Sequence, residues 1–455
     1  MSDFTRRDAV KLVAGAPLAA SMARSAFAAS DQVAFALFGA GQRGQELLAH
    51  CNRIPSGRCA AICDIHAPHR DKALDITRDK AEGYGDYRQV LDRAGIGAII
   101  VATPLHTHFP IIRDALLAGK HVFCEPPIVF KPAEIRALRA LAAERSDQVV
   151  QAGFQRRYSK FYRLAQQMVS RGFLGEVTQI RAQWHRNPGW NMAPEDERGR
   201  LTNWKLYREF SGGLIAELAA HQMDVADWML SEVPERFLGV GSLTWRRDGR
   251  DIHDNTSLIV TYPGDIRHIH TCLSTNLHLP MFGGARTEAG EMILGTEGTI
   301  EITLGTAEKP AIGLWYYEPS PATPEEAAER AEFAAAAGAT MGSVREGFKG
   351  MPLLFEPDQF TGEESFFEKE LKYTRRWLYS KGILTPTEDR PADEVQLDSF
   401  FTCCQEGGEP DVTLDEALDN AAAVILANLA MDERREVAFD EIEELQAGGA
   451  AAADA

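Results

Sequence analysis

The feature that most restricts this chain is a glycine-spaced turn, Gly39-Ala40-Gly41-Gln42-Arg43-Gly44, placed directly after an apolar run and directly before a helix-like stretch. The run Val33-Ala34-Phe35-Ala36-Leu37-Phe38 is continuously apolar, the pattern of a strand covered on both faces in a parallel sheet. Glu46-Leu47-Leu48-Ala49 then begins a helix. In that setting the three glycines act differently. Gly39 permits the tight turn, Gly41 lets backbone approach a pyrophosphate, and Gly44 lets helix pack on strand. The N–H groups at the start of the helix, with Gln42 and Arg43 beside them, then face an anion.

A second apolar run, Cys59-Ala60-Ala61-Ile62-Cys63, ends in Asp64, twenty residues after Gly44. An acid there can bond the ribose 2′-hydroxyl and repels a 2′-phosphate, which favours NAD over NADP. Nearby His66, His69 and Arg70 soften that preference. Strand-like Ala98-Ile99-Ile100-Val101-Ala102 leads into Thr103-Pro104-Leu105-His106-Thr107-His108, a helix follows, and His121-Val122-Phe123-Cys124 reads as the next strand. The βαβ rhythm predicts an α/β chain whose residues 29–150 form a Rossmann dinucleotide-binding domain.

Composition narrows the partners. The 455 residues carry 66 acidic and 48 basic side chains, a net charge of −18 that repels nucleic-acid phosphate and anionic lipid and leaves a small molecule as the expected partner. The seven cysteines are scattered, with no CxxC pair, so neither a disulfide scaffold nor a cysteine metal site is expected. Arg6-Arg7, a small-residue apolar run over 12–22 and Ala26-Phe27-Ala28 follow the order of an export signal, similar to the twin-arginine type although Ala9 stands where a bulky apolar residue is usual. Residues 1–28 are read as that signal, which makes the mature protein periplasmic; a cytoplasmic protein with an irregular N-terminus is the alternative. The run is too short to span a bilayer.

Taken together, the glycine turn, Asp64, Ala102-Thr103-Pro104-x-His106-x-His108, Ala118-Gly119-Lys120-His121-Val122, Glu125-x-Pro127, Gly153-Phe154-Gln155-Arg156-Arg157-Tyr158 and the stretch from Gly212-Gly213 to Asp224 resemble the glucose-fructose oxidoreductase/inositol dehydrogenase/rhizopine catabolism (Gfo/Idh/MocA) family. The resemblance implies an α+β second domain over 151–447 with an open, mostly antiparallel sheet, and association into a dimer or tetramer. It also implies cofactor contacts from Thr103, Pro104, His106, His108, Glu125 and Gln155, and a catalytic histidine at His221. One departure matters: the family's Glu-Lys-Pro is here Glu125-Pro126-Pro127, so the lysine that helps hold the sugar hydroxyl is missing. Members that hydrolyse glycosides with bound NAD lack it too.

Hydride withdrawal from a carbinol needs a base for the hydroxyl proton, and histidine titrates in the right range. Glu217, His221 and Asp224 recur at helical spacing, which places Glu217 to orient His221. Lys205 is the candidate to replace the missing lysine, and Arg156, Arg157, Tyr158, His185, Trp204, Tyr207 and Asp224 are candidate sugar contacts, with Arg186, Asn187 and Trp190 of similar character. His268 and His270 share one face of a strand without an evident third ligand, so no metal is expected. Strands are expected at 177–184, 236–245, 256–262 and 266–273, a hairpin at 290–302, a surface helix or insertion at 319–342, late helices at 397–405 and 414–431, and a disordered tail at 448–455.

The expected activity is NAD-dependent oxidation of a sugar or sugar derivative, with cofactor kept bound and recycled internally if the protein is exported. The alternatives are a redox-neutral glycosidase working by transient oxidation at C3, and a non-catalytic NAD-binding protein. Replacing Arg6-Arg7 by two lysines should retain the chain in the cytoplasm, measured by fractionation; unchanged periplasmic yield overturns the twin-arginine reading.

Overall fold

The computed structural model describes residues 32–453 except 187–189, 277–288, 306–310, 318–349, 356–357, 359–361, 363 and 381–382. Asn187, the expected 319–342 segment and the expected signal at 1–28 lie outside the described residues. The first sheet contains β1 (Val33–Phe38), β2 (Gly57–Cys63), β3 (Glu82–Tyr84), β4 (Ala98–Val101), β5 (His121–Cys124) and β6 (Val150–Ala152) in the order β3-β2-β1-β4-β5-β6. Every pairing is parallel. All six β1 residues are buried, as their unbroken apolar run demands.

Helices α1 (Gln42–Cys51), α2 (Ala67–Ile76), α3 (Arg88–Leu91), α4 (His108–Leu117) and α5 (Pro132–Glu144) connect these strands. The order reverses between β1 and β4, and the glycine turn opens at the carboxyl end of β1, where doubly wound sheets bind ligands.

Helix α6 (Lys160–Ser170) leads into the second sheet, which contains β7 (Val177–His185), β8 (Arg236–Ser242), β9 (Asn255–Tyr262), β10 (Ile266–Leu273), β11 (Ala289–Gly295), β12 (Gly298–Thr303), β13 (Ile312–Tyr317), β14 (Met351–Pro352) and β15 (Val437–Ala438). Their order is β14-β13-β12-β11-β7-β10-β9-β8-β15, antiparallel except where β10 lies parallel to β7. Helix α7 (Ala220–Leu230) and helix α10 (Leu414–Glu433) contribute to the continuous core beneath this sheet. Thr413 caps α10 through a reciprocal capping box with Glu416.

Helix α8 (Phe366–Ser380) precedes α9 (Ala392–Glu406), and α9 departs from the expected domain division. It returns to the first sheet: the Phe401 ring lies tilted 5.3 Å from Phe35, Phe400 lies 5.8 Å from Phe123, and Gln151 Nε2 donates to the Gln396 carbonyl at 3.0 Å. Gly57 makes room, because a Cβ there would fall 2.4 Å from the Phe401 ring. The nucleotide domain is thus completed by a helix from late in the chain. Helix α11 (Glu441–Ala453) is a correction as well, running through most of the stretch expected to be disordered.

No helix among the described residues is long and apolar enough to cross a membrane, and all seven cysteines are free thiols. Because Phe401 is fully buried, Phe401→Ala should cost about 3–5 kcal/mol, read by urea denaturation; a loss below about 1 kcal/mol would show that α9 does not support the first sheet.

Candidate functional site

The glycine turn has the geometry its spacing implies. Gly39 has φ +85°, and a Cβ there would lie 2.4 Å from the Ala102 carbonyl; a Cβ on Gly44 would lie 1.9 Å from the Gly39 carbonyl. Gly41 is different, since its nearest neighbour would be His69 Nδ1 at 3.9 Å, leaving open space for a ligand to approach the backbone. No side chain caps the N-terminus of α1. Asp64 accepts from the Ala40 N–H and the His66 N–H, both at 2.7 Å, which fixes its carboxylate beside the turn with acceptor capacity left for ribose hydroxyls. Gln155 keeps a buried Oε1 with no partner. The open cradle at Gly41, the uncapped helix start and this orphaned acceptor fit a dinucleotide.

Several expected cofactor residues also tie loops together. His108 is buried and bridges the carbonyls of Thr103 and Pro127, each at 2.9 Å, tying together the turns after β4 and β5. The Thr103 hydroxyl is engaged by Thr107, and His106 packs 4.9 Å from Phe210. Pro104 precedes the short helical turn at Leu105–Thr107. Arg43 reaches Glu125 at 2.8 and 3.2 Å and Asp393 of α9 at 2.6 Å. The two carboxylates keep its guanidinium protonated.

Facing this turn, Ile215–Ala219 form a π-helical turn immediately before α7. Such turns widen the helix and recur at functional sites. Glu217 lies within it and His221 just after it, so the expected α-helical i,i+4 pairing of the two is broken. Glu217 instead accepts from the Ser211 hydroxyl at 3.0 Å. Burial pushes its carboxyl up to about 7, against the opposing pull of Ser211 and the Lys205 charge.

Lys205 lies near the end of the helical segment Gly199–Leu206 with its ammonium 5.3 Å from the Trp190 ring; burial lowers its pKa and Glu217 opposes that. His221 is buried between Phe154 (5.8 Å) and Trp184 (5.7 Å), with Nδ1 enclosed and unpartnered. Burial, then the Arg156 and Arg43 charges, hold its pKa well below the usual histidine value, so it is a neutral base at physiological pH.

The expected sugar contacts divide. Arg157 forks onto Asp224 at 2.8 and 3.1 Å and reaches Glu416 at 2.7 Å, a buried network joining α7 to α10. Arg156, Tyr158 and His185 are likewise buried, and His185 lies 3.4 Å from the Thr271 hydroxyl. All five side chains are buried, and Arg157 and Asp224 are taken up by one another. Charged and aromatic residues look alike in sequence whether they face a ligand or a buried partner. Tyr207 is buried under Arg200, whose guanidinium lies 3.9 Å from its ring, and Trp204 packs at the edge of the core. Ser211 and Asp393 were missed; Ser211 is adjacent to Gly212-Gly213, but Asp393 has no local signal.

Residues 33–154 match the oxidoreductase family with an NAD-binding Rossmann fold, and residues 162–301 match the GFO/IDH/MocA C-terminal domain, together more than half of the chain. The chain belongs to the Gfo/Idh/MocA oxidoreductase family. Its first domain is accordingly an NAD-binding Rossmann domain. Family relatives include an inositol 2-dehydrogenase of Salmonella paratyphi B, 27% identical over 43% of this chain and 54% of the relative, and a glycosyl hydrolase family 109 protein of Shewanella sp., 28% identical over 40% and 42%.

The chain thus spans about half the length of these curated relatives. A levoglucosan dehydrogenase solved with NADH and L-sorbose shares the family fold at TM-score 0.67 and 18% identity, covering 90% of this chain and 99% of that one.

Because the Glu217 carboxyl rises from 4.5 to about 7 on folding, its neutral form is fully compatible with the fold below about 4.5, and the folded state is penalised progressively as pH climbs from about 4.5 to 7 and no further above that. Wild type should therefore lose about 3 kcal/mol relative to Glu217→Gln between pH about 4.5 and 8. A pH-independent difference in denaturation midpoints rejects the raised carboxyl.

Proposed function

We propose that this protein is an NAD-dependent oxidoreductase that oxidises a carbinol of a sugar or sugar derivative. The observation that carries the reading is the neutral, buried His221, set between Phe154 and Trp184 just after the π-helical turn that holds Glu217, in a chain whose glycine turn suits a dinucleotide. Bound NAD would supply the hydride acceptor.

His221 Nε2 takes the proton of the reacting hydroxyl. Lys205, brought to the site by the segment before Gly212-Gly213, supplies the cation that Pro126 cannot. Glu217, titrating near neutrality, adjusts the charge around Lys205 and exchanges protons with the cleft. Arg43 fixes Glu125 and the phosphate turn in one arrangement. The protein is exported, and the dinucleotide stays bound and is restored within each cycle, because the periplasm has no pool to replace it.

A redox-neutral glycosidase is the second reading, favoured by proline at position 126 and by the relative named as a family 109 glycosyl hydrolase. The two separate on one assay: aldoses, inositols and glycosides are offered to the purified protein while nicotinamide absorbance and glycoside cleavage are both followed. Absorbance change or sugar-pair dismutation supports the oxidoreductase; cleavage without net absorbance change supports the glycosidase. His221→Asn should lower the active reaction by at least about 10²-fold, the usual weight of a general base, and Lys205→Met should lower it less. Unaltered turnover in His221→Asn overturns both.

A further inference from the structure

Beneath His221 lies a closed polar cluster that the chemistry above leaves unused. Arg156 is buried with its Nη1 2.9 Å from Glu291 Oε1, and Glu291 is itself fully buried on β11. Glu291 also accepts from the Tyr162 hydroxyl and from Gln222 Nε2 at 2.9 Å. Gln222 is the residue after His221; its amide reaches the carbonyls of Gln183 on β7 and Gly290 on β11, at 3.2 and 3.3 Å, while its Oε1 accepts from His270 Nε2 at 2.6 Å. The cluster therefore pins the backbone beside the base to three strands.

The Arg156 guanidinium nitrogens find no well-directed hydrogen bond, although the group is buried. What receives it is the Trp184 ring, with Cζ 4.7 Å from the centroid, and more distantly Tyr162 at 5.9 Å. Trp184 in turn lies 5.7 Å from the His221 ring, and Phe154 meets that ring edge-on at 5.8 Å. A desolvated cation over an indole face is held by the ring quadrupole, and a carboxylate behind it prevents its withdrawal.

We propose that Arg156 is a positioning residue for His221: clamped by Glu291, it braces Trp184, and Trp184 with Phe154 holds the imidazole with Nε2 toward the cleft. The proposal rests on the reading of His221 as the base, but its test does not use turnover. The charges acting on the ring are Arg156 from the 155–158 turn and Arg43 from α1; Glu217 and Lys205 are the charged groups of the neighbouring segments. Removing Arg156 deletes the first-named of the two cations and frees the indole.

The experiment labels histidine Cε1 with 13C in the protein as isolated and assigns the His221 signal by its loss in His221→Asn. In Arg156→Met/Glu291→Gln, which removes both charges together and leaves neither alone in the core, the His221 signal should move toward that of a free imidazole as the ring current of Trp184 is displaced. Its titration midpoint should rise by about one pH unit, a tenfold change in protonation. An unchanged signal and midpoint, in a variant with wild-type circular dichroism and thermal unfolding, overturns the proposal. If the double variant does not fold, Arg156→Lys is read on the same signal, since it keeps the charge and loses the planar stack. A displaced signal with a near-native midpoint supports the brace, and an undisplaced one rejects it. Loss of turnover in His221→Asn concerns only the role of the base, so the two readings fail separately.

Discussion

One guanidinium, that of Arg43, links the glycine turn, the loop after β5 and the late helix α9. It leaves the glycine turn on α1, forks onto Glu125 after β5 and meets Asp393 at the start of α9. A single cation shared by two carboxylates satisfies all three groups, and removal of any member would leave charge in a partly dehydrated place. Glu125 in turn limits the entry to the second domain, where a Cβ on Gly153 would come within 2.8 Å of its Oε1.

The π-helical turn before α7 has a chemical effect. By separating Glu217 from His221 it gives each its own surroundings: a hydroxyl and an ammonium for the acid, two aromatic rings and a buried cation for the imidazole. The two groups then move in opposite directions, the carboxyl upward and the imidazole downward, so the ordinary order of their proton affinities is reversed. Divergent environments of this kind let one site hold a protonated acid and an unprotonated base at the same pH.

The first sheet was legible because its information is local. Unbroken apolar runs, glycines with steric reasons and an acid at the end of β2 each carry their meaning within a few residues. The principal strands of the second sheet were also readable, since alternation encodes the buried face, whereas its mostly antiparallel order came only with the family resemblance. What escaped the sequence involves long-range partners. Arg157 and Asp224 look like ligand contacts until α10 is seen beside them, and the pairing expected of Glu217 and His221 assumed an unbroken 3.6-residue period. Asp393 reaches Arg43 across 350 positions of sequence separation, a distance no motif spans.

Helix α9 also sets an order of assembly. The first sheet is encoded within the first third of the chain, yet Phe35 and Phe123 receive their aromatic cover from Phe401 and Phe400. During synthesis the N-terminal half must therefore wait, with an apolar surface uncovered, until nearly all of the second domain has left the ribosome. The NAD-binding half thus reaches its finished form only after the second domain exists.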